Sequence, residues 1–127
     1  MELEKALSRL RLLIDQIDTL ILTLLNARKE RFSENTEIED TMMELLLTRT
    51  KAGLLVEQYK RRLGLGIRNR RREREVLLRL YQLAELSEMA LTRREIRRYF
   101  KALFAMSRNA QYNQRRLAQL MPTARSP

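Results

Sequence analysis

The stretch LLLTRTKAGLLVEQYKRRL, residues 45–63, carries two cations on a face that should be apolar. Its apolar residues recur every three or four positions, the spacing of one face of an α-helix; they are Leu45, Ala52, Val56, Tyr59 and Leu63. Arg49 lies on that face, and Lys60 follows about three turns later and points the same way. A charge on a buried face is costly unless something pairs with it. The two cations therefore belong either to a structural ion pair or to a pocket for an anion.

The rest of the chain predicts an all-α protein, an antiparallel bundle of about four helices. Only 3 glycines and 2 prolines occur among 127 residues, so little interrupts a helix. The first helix carries a heptad seam of Leu3, Leu7, Leu10, Ile14, Ile17, Ile21 and Leu24. We predict helices to about residue 31, over 37–63, over 69–86, and from Thr92 to about residue 120. Residues 1–121 would form one domain and residues 122–127 a frayed tail.

Helix starts are marked by capping residues. Thr36 with Glu39, and Thr92 with Glu95, have the spacing of a capping box. Asn69 is suited to cap the third helix. On the fourth helix the predicted inward face runs from Ile96 through Phe100 and Leu103 to Ser107, Ala110 or Gln111, and Leu117.

The amino-acid composition limits the kinds of chemistry and the kinds of partner that the protein can have. The absence of cysteine and histidine removes thiol nucleophiles, imidazole bases and the usual zinc ligands. A net charge of +10 favours anionic partners. No apolar run approaches the ~18 residues of a membrane span, and the first residues have a helix pattern rather than that of a signal peptide. We therefore expect a cytoplasmic protein without a membrane partner.

Each predicted helix places polar residues near the core: Arg11; Arg49 and Lys60; Asn69, Arg72 and Glu73; Ser107 and Gln111. Each of these polar residues also has a simpler interpretation. The run 68–74 is typical of a solvated face, and Arg11 could reach the surface. Arg49 and Lys60 could form a structural ion pair with Glu73 or another acid. However, cations outnumber acids in the set. Such a pocket can bind carboxylates and stabilise a developing negative charge. A unimolecular rearrangement is a reaction that needs only this kind of help from a protein.

Several segments resemble the all-α bacterial chorismate mutases. LRLLIDQID (residues 10–18) resembles the opening helix of that family, and residues 46–60 resemble its "LLxxR…V…K" stretch. GLGIRNRRRE (residues 64–73) resembles its loop and following helix start, and Ser107 and Gln111 stand at its late polar pair. The resemblance implies conversion of chorismate to prephenate without cofactor or covalent intermediate.

The resemblance also implies roles for individual residues. Arg11 and Arg49 would clamp the substrate carboxylates. Lys60 and Gln111 would hydrogen-bond the ether oxygen, where negative charge grows as the C–O bond breaks.

The remaining residues would bind the substrate. Glu73 would hold the ring hydroxyl, and Arg72 and Ser107 would complete the carboxylate and ring contacts. Asn69 stands where the family usually has an aspartate, which leaves room for altered efficiency or for an amino analogue of chorismate. Three alternatives stay open: an isochorismate pyruvate lyase, an aminodeoxychorismate mutase-like enzyme, and a basic helical module that binds nucleic acid or protein. The spread of the basic residues and an aromatic content of 6% disfavour nucleic acid.

The first helix departs from the family pattern. In the family's dimers, this helix is one long rod that packs against the partner chain. Here about 21 residues are added inside it, and in a continuous helix they would add roughly 31 Å of length. The segment 24–29 (LLNARK) echoes 45–50 (LLLTRT) and marks the addition. A turn near residues 32–36 would fold the first segment back, so that Arg11 comes from the same chain. We predict a monomer, with a dimer as the alternative, and expect Arg28 to be a surface copy of the motif arginine.

Overall fold

Four helices make up the computed structural model, which describes residues 1–31 and 36–120. They are α1 (Glu2–Arg31), α2 (Thr36–Arg62), α3 (Arg70–Leu86) and α4 (Arg93–Leu120). The described ranges contain no strand, so the all-α prediction is confirmed, with helix ends within about a residue of those expected. The predicted tail and most of the predicted turn between α1 and α2 lie outside the described residues. None of the described helices is long and apolar enough to cross a membrane.

α1 folds back along α2, as the hypothesis of an added turn requires. Near one end Arg28 donates to Glu39 at 3.2 Å, and near the middle Arg49 pairs with Asp18 at 2.7 Å. Each of these ion pairs joins an α1 residue to an α2 residue, and the pairing order runs in opposite directions along the two helices. Arg28 is exposed, as predicted. The residues that bear the site therefore approach each other within a single chain.

The core is built where the apolar faces of α1, α3 and α4 meet. Ile21, Leu22, Leu80, Ile96 and Phe100 are almost completely buried. Each such side chain contributes about 1.5–3 kcal/mol by leaving water. Met42 adds a side chain of α2 to the same core, so the core joins all four of the helices that carry the polar site.

One predicted inward residue is wrong. Leu117 is 59% exposed, because the last core residue of α4 is Phe104 and the helix runs on beyond the core. On the same helix Gln111 is the last buried residue. The 3–4 repeat of apolar residues thus continues past the end of the hydrophobic core, where α4 still contacts α2 through the ion pair of Arg115 with Glu57.

The predicted caps are confirmed for α3 and α4. Asn69 Oδ1 accepts from the backbone N–H of Arg72 at 3.0 Å. The N–H of Thr92 donates to Glu95 Oε1 at 3.0 Å, and the N–H of Glu95 donates back to Thr92 Oγ1 at 3.2 Å. Thr36 is itself the first residue of α2; the position before it lies outside the described residues, and that capping box stays a prediction.

Candidate active site

A pocket opens between all four helices, and every residue predicted for the site lines it. These residues are Arg11 from α1, Arg49 and Lys60 from α2, Asn69, Arg72 and Glu73 from the start of α3, and Ser107 and Gln111 from α4. Apolar walls separate them: Ile14, Val56, Ile67, Val76 and Phe104. A concave site with apolar walls and a few converging polar groups is typical of small-molecule binding.

Arg49 is locked in place by a buried acid. Its Nε donates to Asp18 Oδ1 at 2.7 Å and its Nη2 to Oδ2 at 3.3 Å, and its guanidinium lies 5.8 Å from the centre of the Phe104 ring. Burial raises the pKa of Asp18, and the charge of Arg49 opposes that shift. Arg49 therefore belongs to a structural ion pair, which was one of the two interpretations of this residue. Its partner is Asp18 and not Glu73. The pair leaves Nη1 for a ligand.

Lys60 is a buried cation held at the pocket wall. Its Nζ donates to the carbonyl of Ile67 at 2.7 Å, and only 6% of the residue is exposed. Burial lowers the pKa of Lys60, and the neighbouring charges of Arg11 and Arg115 lower it further, whereas Glu73 raises it. An anion bound here would relieve both the repulsion and the lost hydration.

Arg11 and Arg72 are held together by contacts between α1 and α3. Arg72 Nη2 donates to Asp15 Oδ1 at 2.7 Å and to the carbonyl of Arg11 at 3.1 Å. The solvated-face interpretation thus fails for Arg72, which is half-buried, whereas Arg68, Arg70, Arg71 and Arg74 are exposed. Burial and the charge of Arg72 lower the pKa of Arg11. Both cations line the pocket, and within residues 1–31 and 36–120 no carboxylate lies within 4 Å of Arg11, whose pKa the more distant Glu75 raises.

On α4, Ser107 and Gln111 approach α2 closely. Gln111 Nε2 donates to Ser107 Oγ at 3.3 Å, and the buried Gln111 Oε1 has no hydrogen-bond partner among the described residues. A Cβ on Gly53 would lie 3.1 Å from Ser107 Oγ. The glycine therefore provides the space in which this polar pair reaches the pocket.

Two charged residues of the lining, Asp18 and Arg108, were not predicted from the sequence. Asp18 follows Arg11 by two turns on α1, a spacing that could have revealed it. Arg108 comes directly after Ser107, and its Nη1 donates a hydrogen bond to Glu73 Oε2. Glu73, expected to hold a ring hydroxyl, is therefore already engaged by a cation from α4.

The lining is strongly cationic. Its basic members are Arg11, Arg49, Lys60, Arg72 and Arg108, against the two carboxylates of Asp18 and Glu73. Partly buried cations among apolar walls act in a lower dielectric than water, which strengthens their attraction for an anion. The pocket can hold carboxylates and place hydrogen-bond donors at an oxygen that gains negative charge.

Comparison with protein families gives an independent result. The sequence model of the family chorismate mutase type II matches residues 33–112. The matched segment includes seven of the eight predicted site residues. Arg11, on α1, lies outside the matched segment, in keeping with an added first helix. No curated protein and no solved structure gives a significant match.

Proposed function

The chain belongs to the chorismate mutase type II family, and from this premise we propose that its pocket rearranges chorismate to prephenate. The family is one of isomerases. The observation that carries the proposal is the convergence of Arg11, Arg49, Lys60 and Gln111 on one pocket. The reaction is an internal shift in which one C–O bond breaks and one C–C bond forms, so it needs neither a base nor a nucleophile from the protein.

The first task of the pocket is to fix a flexible dianion in its reactive conformation. Arg11 and the free Nη1 of Arg49 bind the substrate carboxylates, and Arg72 adds positive charge from α3. The pairs Arg49–Asp18 and Arg72–Asp15 hold two of these guanidiniums before substrate arrives. Such preorganisation removes part of the entropic barrier of the reaction.

The second task is to stabilise charge in the transition state. Lys60 Nζ and Gln111 Nε2 donate to the ether oxygen as the C–O bond lengthens. Both side chains are buried, at 6% and 8% exposure, so their hydrogen bonds act where little water screens them. Oriented donors of this kind lower the barrier without a covalent intermediate.

The third group holds the ring. Glu73 accepts from the ring hydroxyl while keeping its contact with Arg108, and Ser107 lines the same wall. Asn69 lines the pocket, but its Oδ1 already accepts from the backbone of Arg72. Its amide nitrogen makes no such contact with the described residues and can donate to the substrate.

The proposal is tested by incubating the purified protein with chorismate and following the loss of its ultraviolet absorbance. Prephenate as the product supports the proposal. Release of pyruvate from isochorismate would indicate the lyase instead, and turnover of the amino analogue alone would indicate an aminodeoxychorismate mutase. Absence of all three reactions would leave the basic binding module.

We further propose that the protein is a monomer, since Arg11 reaches the pocket from the same chain as Arg49. Light scattering at micromolar concentration is expected to give a mass near 15.2 kDa. A stable dimer at that concentration would contradict the prediction. Single-domain organisation, a cytoplasmic location and the lack of nucleic-acid or membrane partners also stay predictions.

Activity is expected to fall at alkaline pH. The pKa of Lys60 is lowered from 10.5, mainly by burial, so its positive charge is lost as the pH rises through that lowered value. Because the charged ammonium stabilises the transition state, and because the lowered pKa is that of the pocket before substrate binds, kcat/KM should decline with a midpoint below 10.5. The profile of kcat/KM against pH measures this, with Lys51→Ala, an exposed lysine of α2, as control. A flat profile up to the onset of unfolding would disprove the role of the charge.

A further inference from the structure

A second concavity lies next to the candidate active site. Its basic members, here called the outer basic cluster, are Arg68, Arg70, Arg74, Lys101 and Arg108. Leu77 and Phe104 supply apolar surface, and Glu73 is the single acid of the lining. Because Glu73, Phe104 and Arg108 line both cavities, the outer basic cluster adjoins the mouth of the inner pocket.

The outer basic cluster has more cations than counter-ions, with Glu73 as the one acid that the described residues place against five basic side chains. Glu73 contacts Arg108 and lies 4.0 Å from Arg68. Within the described part of the chain, Arg70, Arg74 and Lys101 have no carboxylate within 4 Å. Arg70 and Arg74 are moreover one turn apart on α3, a spacing at which like charges destabilise a helix.

Three separate elements bring these charges together. Arg68 precedes α3, Arg70 and Arg74 lie in its first turns, and Lys101 and Arg108 lie two turns apart on α4. The α3–α4 packing of Leu80 and Phe100 in the core fixes this approach. The arrangement costs free energy in the empty protein and is relieved when an anion binds between the helices.

We propose that the outer basic cluster is a second anion site, which binds a small dicarboxylate at the mouth of the inner pocket. The identity of that dicarboxylate, the substrate itself, rests on the proposed function. A concave surface of one charge sign raises the local concentration of an oppositely charged ligand. Arg108, which contacts Glu73 and lines both cavities, is the residue by which a carboxylate passes from the outer cluster to the inner pocket.

The binding test does not depend on catalysis. Backbone amide shifts are followed by NMR while succinate is added at low ionic strength. Leu77 and residue 101 report on the outer site alone, and Gly53 and Val56 on the inner pocket alone. Wild type should show saturable shifts at the outer reporters, and the double variant Arg74→Gln/Lys101→Gln should lose the shift at Leu77.

The matched control is Lys51→Gln/Arg97→Gln, which removes the same charge from exposed positions of α2 and α4 outside both linings. It should retain the outer shifts. No saturable shift at Leu77 in wild type, or an equal loss in both double variants, would overturn the proposal.

A kinetic arm separates this inference from the proposed function. If chorismate is turned over, Arg74→Gln/Lys101→Gln should raise KM about three- to tenfold at ~10 mM ionic strength, with kcat unchanged, and the difference should vanish at ~0.5 M salt. Equal KM values for the two double variants would overturn the inference while the function stands. Outer shifts with succinate but no turnover would support the anion site and contradict the function.

Discussion

Lys60→Ala is expected to reduce kcat by about 100- to 1000-fold, which is the usual loss when one preorganised donor to a developing negative charge is removed. The buried ammonium and Gln111 are the donors assigned to the ether oxygen, and the two residues are only 6% and 8% exposed. The expected loss is in kcat rather than KM, because the charge at this oxygen grows only as the bond breaks. Steady-state kinetics with chorismate measure both constants.

A structural role must be separated from this effect, since Lys60 also donates to the carbonyl of Ile67. Lys60→Met keeps most of the apolar stem, and urea denaturation of both variants shows whether the fold survives. Lys51→Ala, an exposed position of the same helix, should leave kcat unchanged. A folded Lys60→Met protein with kcat within threefold of wild type would refute the assigned role.

Asp18→Ala is expected to destabilise the protein by about 3–5 kcal/mol, the typical cost of leaving one charge of a buried ion pair alone. Asp18 is completely buried, and the side chain of Arg49 is 9% exposed, so water cannot take the place of the lost carboxylate. The free energy of unfolding from urea titrations measures the loss. Arg28→Ala, which breaks an exposed pair with Glu39, should change stability by less than about 1 kcal/mol.

A double variant distinguishes stability from function at the same pair. Asp18→Leu/Arg49→Met replaces two charges with apolar side chains, an exchange that is often neutral or stabilising. It should recover most of the stability lost in Asp18→Ala and still lack mutase activity, because no guanidinium remains to bind the carboxylate. A double variant as active as wild type would show that Arg49 serves the fold alone.

Local patterns were sufficient to predict the helices. The heptad seam of α1, the capping box at Thr92 and the cap at Asn69 each depend on residues within one or two turns, and the structure confirms them. Leu117 shows the limit of such patterns, because periodicity identifies an apolar face but not where the hydrophobic core ends.

The site was predictable where residues share a periodic face or a family motif. All eight predicted residues line one pocket, yet spacing alone could not decide which acid pairs with Arg49. That choice depends on the register between α1 and α2, which a single helix does not encode. Arg108 was not predicted because it follows Ser107 by one residue, about 100° around the helix. Its place in the pocket depends on its contact with Glu73 of α3, which the sequence of α4 alone does not encode.

The fold-back of α1 on α2 has a consequence for dilution. A catalytic arginine supplied by a second molecule is lost when the protein is diluted below its dissociation constant. Arg11 is tethered to its own pocket, where its effective concentration is set by chain connectivity and is the same at any dilution. Specific activity should therefore stay constant from micromolar protein down to the detection limit of the assay.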